Sequence, residues 1–136
     1  MGNISAIISR CEELAFDLDF THAKAWKNQD QSRVIVGYMP IYFPREIIHA
    51  AGGLPVAIFG GGDRKQIIKG DAYYQSYICH IPRSIIDMAL DKHFDNFDGF
   101  IFPSICDVLR NLSGIFRTKG FGKFVKYMDF PQNFLP

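Results

Sequence analysis

The chain has 136 residues, enough for one compact domain with its own core, and 48% of them are hydrophobic. Aromatic residues make up 15%, with 13 Phe among them, and charged residues 21%, a composition that excludes disorder. The formal net charge of +1 is spread over scattered Lys and Arg, which excludes the basic stripe of a nucleic-acid binder, and no apolar run is long enough to cross a bilayer.

Taken in chain order, residues 4–26 place Ile4, Ile7, Ile8, Cys11, Leu14, Ala15 and Leu18 at steps of three and four, which predicts one amphipathic helix with Cys11 on its buried side. Together with the polar connector that begins at Lys27, it forms an N-terminal segment, residues 1–29. The period then changes. Residues 33–39 (RVIVGYM) are short and β-branched and read as a buried strand. Pro44 suits the first turn of a helix over 45–51, which Gly52 and Gly53 stop. A second strand follows at 54–59, and Pro55 restricts it to an early or edge position. A short helix is expected near 64–68. Further helices are expected over 82–93 and 107–117, a third strand at 98–102 and a fourth at 124–129. Strands alternating with helices predict an α/β, Rossmann-like three-layer domain with a mostly parallel four-stranded sheet. Chemistry in such sheets gathers at the loops after the strand C-terminal ends, here 39–44, 60–63, 103–107 and 130 onward. A chain that ends beside a fourth strand, at Phe130 to Leu135, is expected to leave apolar surface there that self-associates.

Cys11, Cys79 and Cys106 are odd in number and widely spaced, which argues against a disulfide framework and suits a reducing cytoplasm. The N-terminus lacks the basic start, apolar middle and cleavage site of a secretory signal. Cys79 and Cys106 each fall just before a predicted helix, where unpaired N–H groups and the positive end of the dipole favour a thiolate. Such a pair can ligate a soft metal or an iron–sulfur cluster, although a lone Cys is more often a core residue and this spacing fits no short metal motif. Gly60, Gly61 and Gly62 lack the spacing of a phosphate loop and read first as a flexible turn. His49 and His80 are possible proton donors, Tyr73, Tyr74 and Tyr77 possible walls of a planar pocket, and Asp107 a helix cap.

Three stretches carry a resemblance: 37–56 (GYMPIYFPREIIHAAGGLPV), 70–79 (GDAYYQSYIC) and 98–112 (DGFIFPSICDVLRNL). Together they resemble the benzoyl-CoA reductase / 2-hydroxyacyl-CoA dehydratase family, over about residues 30 to 131. The resemblance implies that residues 1–136 are the single N-terminal α/β domain of a longer two-domain subunit. It implies a [4Fe–4S] cluster held by three cysteines, with Cys79 and Cys106 as two of them. The third lies in the absent C-terminal domain and is not Cys11. It further implies an acyl-CoA thioester substrate, a homologous cluster-bearing partner subunit and an ATP-hydrolysing electron-donor subunit, in keeping with the lack of an ATP motif here.

Dehydratase relatives often carry a small polar residue in the loop after the first strand, where this chain has Met39-Pro40-Ile41-Tyr42. Such a loop suits an aromatic acyl group, so the reductase branch is favoured, with Ile41, Tyr42 and Tyr77 expected at the substrate. The implied reaction is ATP-dependent, low-potential reduction of an aromatic acyl-CoA ring. The alternatives are a 2-hydroxyacyl-CoA dehydratase subunit and an isolated, non-catalytic domain with a role in folding or assembly, and the isolated piece is not expected to turn over.

Overall fold

The computed structural model describes residues 3–129. Strands β1 (Ile35–Tyr38), β2 (Leu54–Ala57), β3 (Gly99–Pro103) and β4 (Phe124–Met128) form one sheet in the order β2-β1-β3-β4, every neighbouring pair parallel. The helices are α1 (Ile4–Ala15), α2 (Thr21–Asn28), α3 (Glu46–Ala50), α4 (His80–Leu90) and α5 (Asp107–Lys119). The α/β class and the parallel sheet expected from the sequence are therefore present, and Pro55 lies in an edge strand, where its missing N–H removes no ladder bond to a second neighbour.

The chain steps outward from β1 to β2, then returns across β1 to β3 and on to β4. Right-handed crossovers place α3 on one face and α4 with α5 on the other. Side-chain burial follows that division with the strand period of two. Ile35 and Met39 of the first strand segment join one cluster with Ile85, Ile86 and Met88 of α4 and Leu109, Leu112 and Phe116 of α5. The alternate residues Val36 and Tyr38 are buried outside that cluster, and Tyr38 packs on Phe43 with ring centroids 5.3 Å apart.

Much of the phenylalanine content is spent in the α4/α5 layer. Phe100 stands at its centre, stacked on Phe97 at 5.6 Å and edge-on to Phe116 at 4.9 Å. It fits because its neighbour on β1 is Gly37: a Cβ there would meet Ile58 at 2.6 Å and the Phe100 ring at 2.8 Å.

Asp98 binds the sheet together at its other end. Its buried carboxylate accepts the Ile35 N–H at 2.8 Å, the Lys27 ammonium of α2 at 2.5 Å and the Lys123 ammonium at 2.9 Å. Its backbone N–H donates to the Ile35 carbonyl at 2.8 Å. Burial is the largest influence on this carboxyl and pushes its pKa up, but the hydrogen bonds from Lys27, Lys123 and Ile35 together hold it below the usual carboxylate range.

Three local expectations are corrected. Residues 4–26 are two helices, because the chain turns at 16–20. Phe20 takes a left-handed backbone with φ of 53°, and the Asp17 carboxylate accepts the His22 N–H at 3.1 Å, starting α2 afresh. None of the side chains of α1 is buried, so Cys11 is an exposed thiol and not a core residue. In place of a helix at 64–68 there are two single 3₁₀ turns, Gly62–Arg64 and Gly70–Ala72. The expected apolar surface at Phe130 to Leu135 lies outside the described residues.

Asp98→Ala leaves Lys27 and the Ile35 N–H without their buried partner, and the expected loss is about 3 kcal/mol at neutral pH. Because the folded-state pKa of Asp98 is depressed, its stabilisation is present above the unfolded value of about 4 and fades as the pH falls through the folded value. Urea unfolding of both chains at pH 7 and at pH 3 checks this, with the difference between them shrinking at the lower pH.

Candidate functional site

In a parallel sheet the crossover helices run antiparallel to the strands, so the N-termini of α4 and α5 emerge at the strand C-terminal edge. The residue at each of those N-termini is a cysteine. Cys79 is the N-cap of α4 and Cys106 the N-cap of α5. Neither side chain makes a capping hydrogen bond, and both thiols are free and exposed. The two helices pack against each other on the same face of the sheet. The order β2-β1-β3-β4 also makes the gap between β1 and β3 the place where the chain's direction of travel reverses, and Cys106 follows β3 there. Open α/β sheets bind ligands at such a point.

A phenol joins the segment that precedes Cys79 to the first turn of α5. Tyr74 is buried at 8% exposure, and its hydroxyl donates to the Val108 carbonyl, in the first turn of α5, at 3.1 Å. Burial, and after it negative charge at Cys106 and at Cys79, pushes its pKa up to about 12, so the hydroxyl keeps its proton at any physiological pH.

The segment that leads to Cys79 is also held from α4. The Arg83 guanidinium donates to Asp71 at 2.8 Å and to the carbonyls of Ser76 and Ile78 at 3.3 and 3.4 Å. One turn further on, the buried Asp87 carboxylate accepts the N–H groups of Lys69 at 2.9 Å and Gly70 at 2.8 Å. Gly70 has no room for a side chain, since a Cβ would lie 2.1 Å from the Arg83 carbonyl oxygen. These anchors escaped the sequence reading. The signal that could have found them is the spacing of four from Cys79 to Arg83 to Asp87, which repeats one face of a helix.

The other predicted residues fall as follows. Ile41 and Tyr42 project from the loop after β1, both exposed, with left-handed φ values of 79° and 62°. Tyr77 is exposed two residues before Cys79. His49 and His80 are exposed. Of the three tyrosines read as pocket walls, Tyr74 fills the core edge, Tyr73 packs beside it under the Lys119 ammonium, 5.4 Å from the ring centroid, and Tyr77 faces solvent. Asp107 is not the cap of α5: the extended backbone of Cys106 occupies that position, and Asp107 is the acid of the first turn. The Gly60–Gly62 turn docks on α4, where the Gly61 N–H donates to the buried Ser84 hydroxyl at 2.8 Å.

Beside Cys106 an open cleft of about 310 Å³ is lined by Ser104, Asp107, Arg110, Tyr127 and Asp129. A larger apolar groove of about 590 Å³ runs between α2 and β2. Its titratable groups are Asp17, which accepts the His22 N–H, and His22, whose ring bonds Glu13.

As donors, two unpaired thiols at two helix N-termini suit a soft, anionic, thiolate-ligated group. Two thiolates so placed would supply two ligands of such a group. Among the described residues, no set of three or more His, Cys, Asp or Glu could hold a metal, so completing such a site requires a ligand from outside them. Among the described residues, no helix is long and apolar enough to cross a membrane.

The family model "2-hydroxyglutaryl-CoA dehydratase, D-component" matches residues 40–136, which include both cysteines. The chain is 60% identical over 128 residues, 94% of its length, to one of the subunits of benzoyl-CoA reductase from Thauera aromatica, covering 33% of that protein. It is 35% identical over 68% of its length to the beta subunit of (R)-2-hydroxyglutaryl-CoA dehydratase from Acidaminococcus fermentans, covering 24% of it. It is 32% identical over 98% of its length to the beta subunit of lactoyl-CoA dehydratase from Anaerotignum propionicum, covering 34% of it. The chain thus spans about a third or less of the length of these relatives. With the match running from the loop after β1 through both cysteines, this chain belongs to the 2-hydroxyglutaryl-CoA dehydratase D-component family.

Proposed function

We propose that this chain is the N-terminal α/β domain of a longer, cytoplasmic subunit of a benzoyl-CoA reductase, and that Cys79 and Cys106 supply two of the three cysteine ligands of a [4Fe–4S] cluster beside a bound acyl-CoA thioester. The observation that carries the reading is the pair of exposed, uncommitted thiols at the N-caps of two packed helices on one sheet edge. A third cysteine would come from the remainder of the subunit. When bound, the cluster supplies low-potential electrons, delivered to it by an ATP-hydrolysing partner.

The residues of this chain then have distinct tasks. Cys79 and Cys106 hold the cluster, and the free N–H groups of the two first turns favour its negative charge. Ile41, Tyr42 and Tyr77 form an apolar rim that binds an aromatic acyl group and excludes water from it, which strengthens every electrostatic interaction inside. The site is closed from the other side by the homologous, cluster-bearing partner.

A second reading within the family is 2-hydroxyacyl-CoA dehydration. Its support is the name of the matching family model and the two dehydratase beta subunits. What favours the reductase is the higher identity to a protein bearing that name, together with the apolar, aromatic loop after β1.

Anaerobic reconstitution of the complete subunit is expected to give a [4Fe–4S] spectrum. Cys79→Ser and Cys106→Ser are each expected to lower bound iron and sulfide by tenfold or more, since even outer-shell changes weaken metal sites by roughly 10–100-fold. Iron and sulfide that stay at the wild-type level in both variants would sink the ligand assignment.

The substrate is decided by assaying the complete enzyme with benzoyl-CoA and with a 2-hydroxyacyl-CoA. Turnover of the aromatic thioester is expected, and Tyr42→Ala should raise its KM about tenfold by removing an aromatic contact. Elimination of water from the hydroxyacyl thioester, with benzoyl-CoA untouched, selects the dehydratase.

A further inference from the structure

The hydrogen bond from Tyr74 to Val108 has a particular position in the chain. The donor ring belongs to the segment between the Gly70–Ala72 turn and Cys79, and the acceptor carbonyl lies two residues beyond Cys106, in the first turn of α5. The bond therefore runs from one cysteine-bearing segment directly to the other. Both ends are otherwise stiff. Cys79's segment is clasped to α4 by Arg83 and Asp87, and α5 is locked into the core by Leu109, Leu112 and Phe116. Beside the packing of α4 on α5, this hydrogen bond is a polar link between the two cysteine-bearing segments.

We propose that Tyr74 is a positioning residue for the two-cysteine site: its buried hydroxyl fixes the separation of Cys79 and Cys106 by fastening the first segment to the helix that the second one caps. The inference rests on the ligand reading above and goes beyond it, because Tyr74 acts through the two thiols. A ligand pair held at a fixed spacing keeps a cluster that a looser pair releases, since the order of the ligands does not have to be re-established each time one sulfur lets go. The ring itself is part of the buried core, so its apolar part serves packing and its hydroxyl serves position.

Tyr74→Phe separates the two, because it keeps the ring and removes the oxygen. In the reconstituted complete subunit, iron loss to an anaerobic chelator should run about fivefold faster than in the wild type, the equivalent of one net hydrogen bond, and the electron paramagnetic resonance line shape of the reduced cluster should change. Ile35→Val serves as control. It trims a fully buried side chain at the opposite edge of the sheet and lowers global stability by a comparable amount, yet iron loss should stay within about twofold of the wild type. Equal acceleration in both variants means that Tyr74 contributes only stability and overturns the proposal, as does a Tyr74→Phe protein with wild-type iron loss and line shape. The Cys79→Ser and Cys106→Ser variants, measured alongside, test the ligand reading separately: if they retain iron, that reading falls, whereas their loss of iron with an unaffected Tyr74→Phe protein removes only the role of Tyr74.

Discussion

A buried carboxylate at the start of β3 determines where the two central strands lie. Asp98 takes the Ile35 N–H on one side and two lysine ammonium groups on the others, and an ionised carboxyl in that position is strongly destabilising without donors such as the Ile35 N–H and the Lys27 ammonium. The requirement pulls α2, β1, β3 and the approach to β4 to one point. It also pairs Val36 with Gly99, Gly37 with Phe100 and Tyr38 with Ile101. Once that register is set, the far ends of β1 and β3 are set too, about four residues away, and the crevice between the loops that follow them comes with it. The edge that carries the cysteines is in this sense built from the edge that does not.

Between the two edges, rigidity comes from aromatic packing and not from long strands, which here run only four or five residues. Gly37 gives up its side chain so that Phe100 can lie against β1, and Phe97, Phe116 and Phe94 close around it. This cluster is what α4 and α5 sit on. Interiors of this density do not deform continuously, so the N-termini of the two helices project from a stiff base, and a residue at an N-cap is at once fixed in backbone and free in side chain. Cysteine is a poor capping residue compared with Ser, Thr, Asp or Asn. Finding it at both caps, with no hydrogen bond to the first turn, means that local helix stability was given up at two matched positions.

The sheet was legible because its strands are short, largely apolar runs fenced by Pro, Gly and polar residues, and because Pro55 can be accommodated only near an edge. The helices α4 and α5 were legible from their apolar period. What the period could not reveal was which apolar faces meet a partner. Ile4, Ile7, Ile8, Cys11 and Leu14 repeat like a core-facing stripe, yet all are exposed, since amphipathicity reports an apolar face and is silent about what covers it. The break at 16–20 was hidden for a related reason: Leu18 and Phe20 are apolar and continue the count, while the backbone follows the Asp17 carboxylate into a new helix start. Asp107 was misplaced by one residue because Asp is the better capping residue by preference, and the cap position is occupied by Cys106 instead. For Arg83 and Asp87 the sequence offers only their spacing of four from Cys79, and the bond of Tyr74 to α5 has no local signal, since it depends on a loop folding back onto α4 and α5.

The loop after β1 carries the remaining tension. Ile41 and Tyr42 both adopt left-handed φ values, a region in which the Cβ of an L-residue crowds the backbone at roughly 1–3 kcal/mol per residue. Nothing in the hydrophobic effect compensates, because both side chains point to solvent. What holds the loop is its ends: Met39 donates to the Ile101 carbonyl at 3.1 Å, and the Phe43 ring packs on Tyr38. Between these fixed points the chain has to turn, and a glycine at either position would relieve the strain. On the proposed reading, glycine is ruled out there by the need for apolar side chains at the acyl group, so the strain is retained for contact surface that only a bound thioester, or the adjoining part of the complete enzyme, would bury. On that reading the two exposed side chains belong to the same edge as the cysteines, at the end of β1 beside the end of β3.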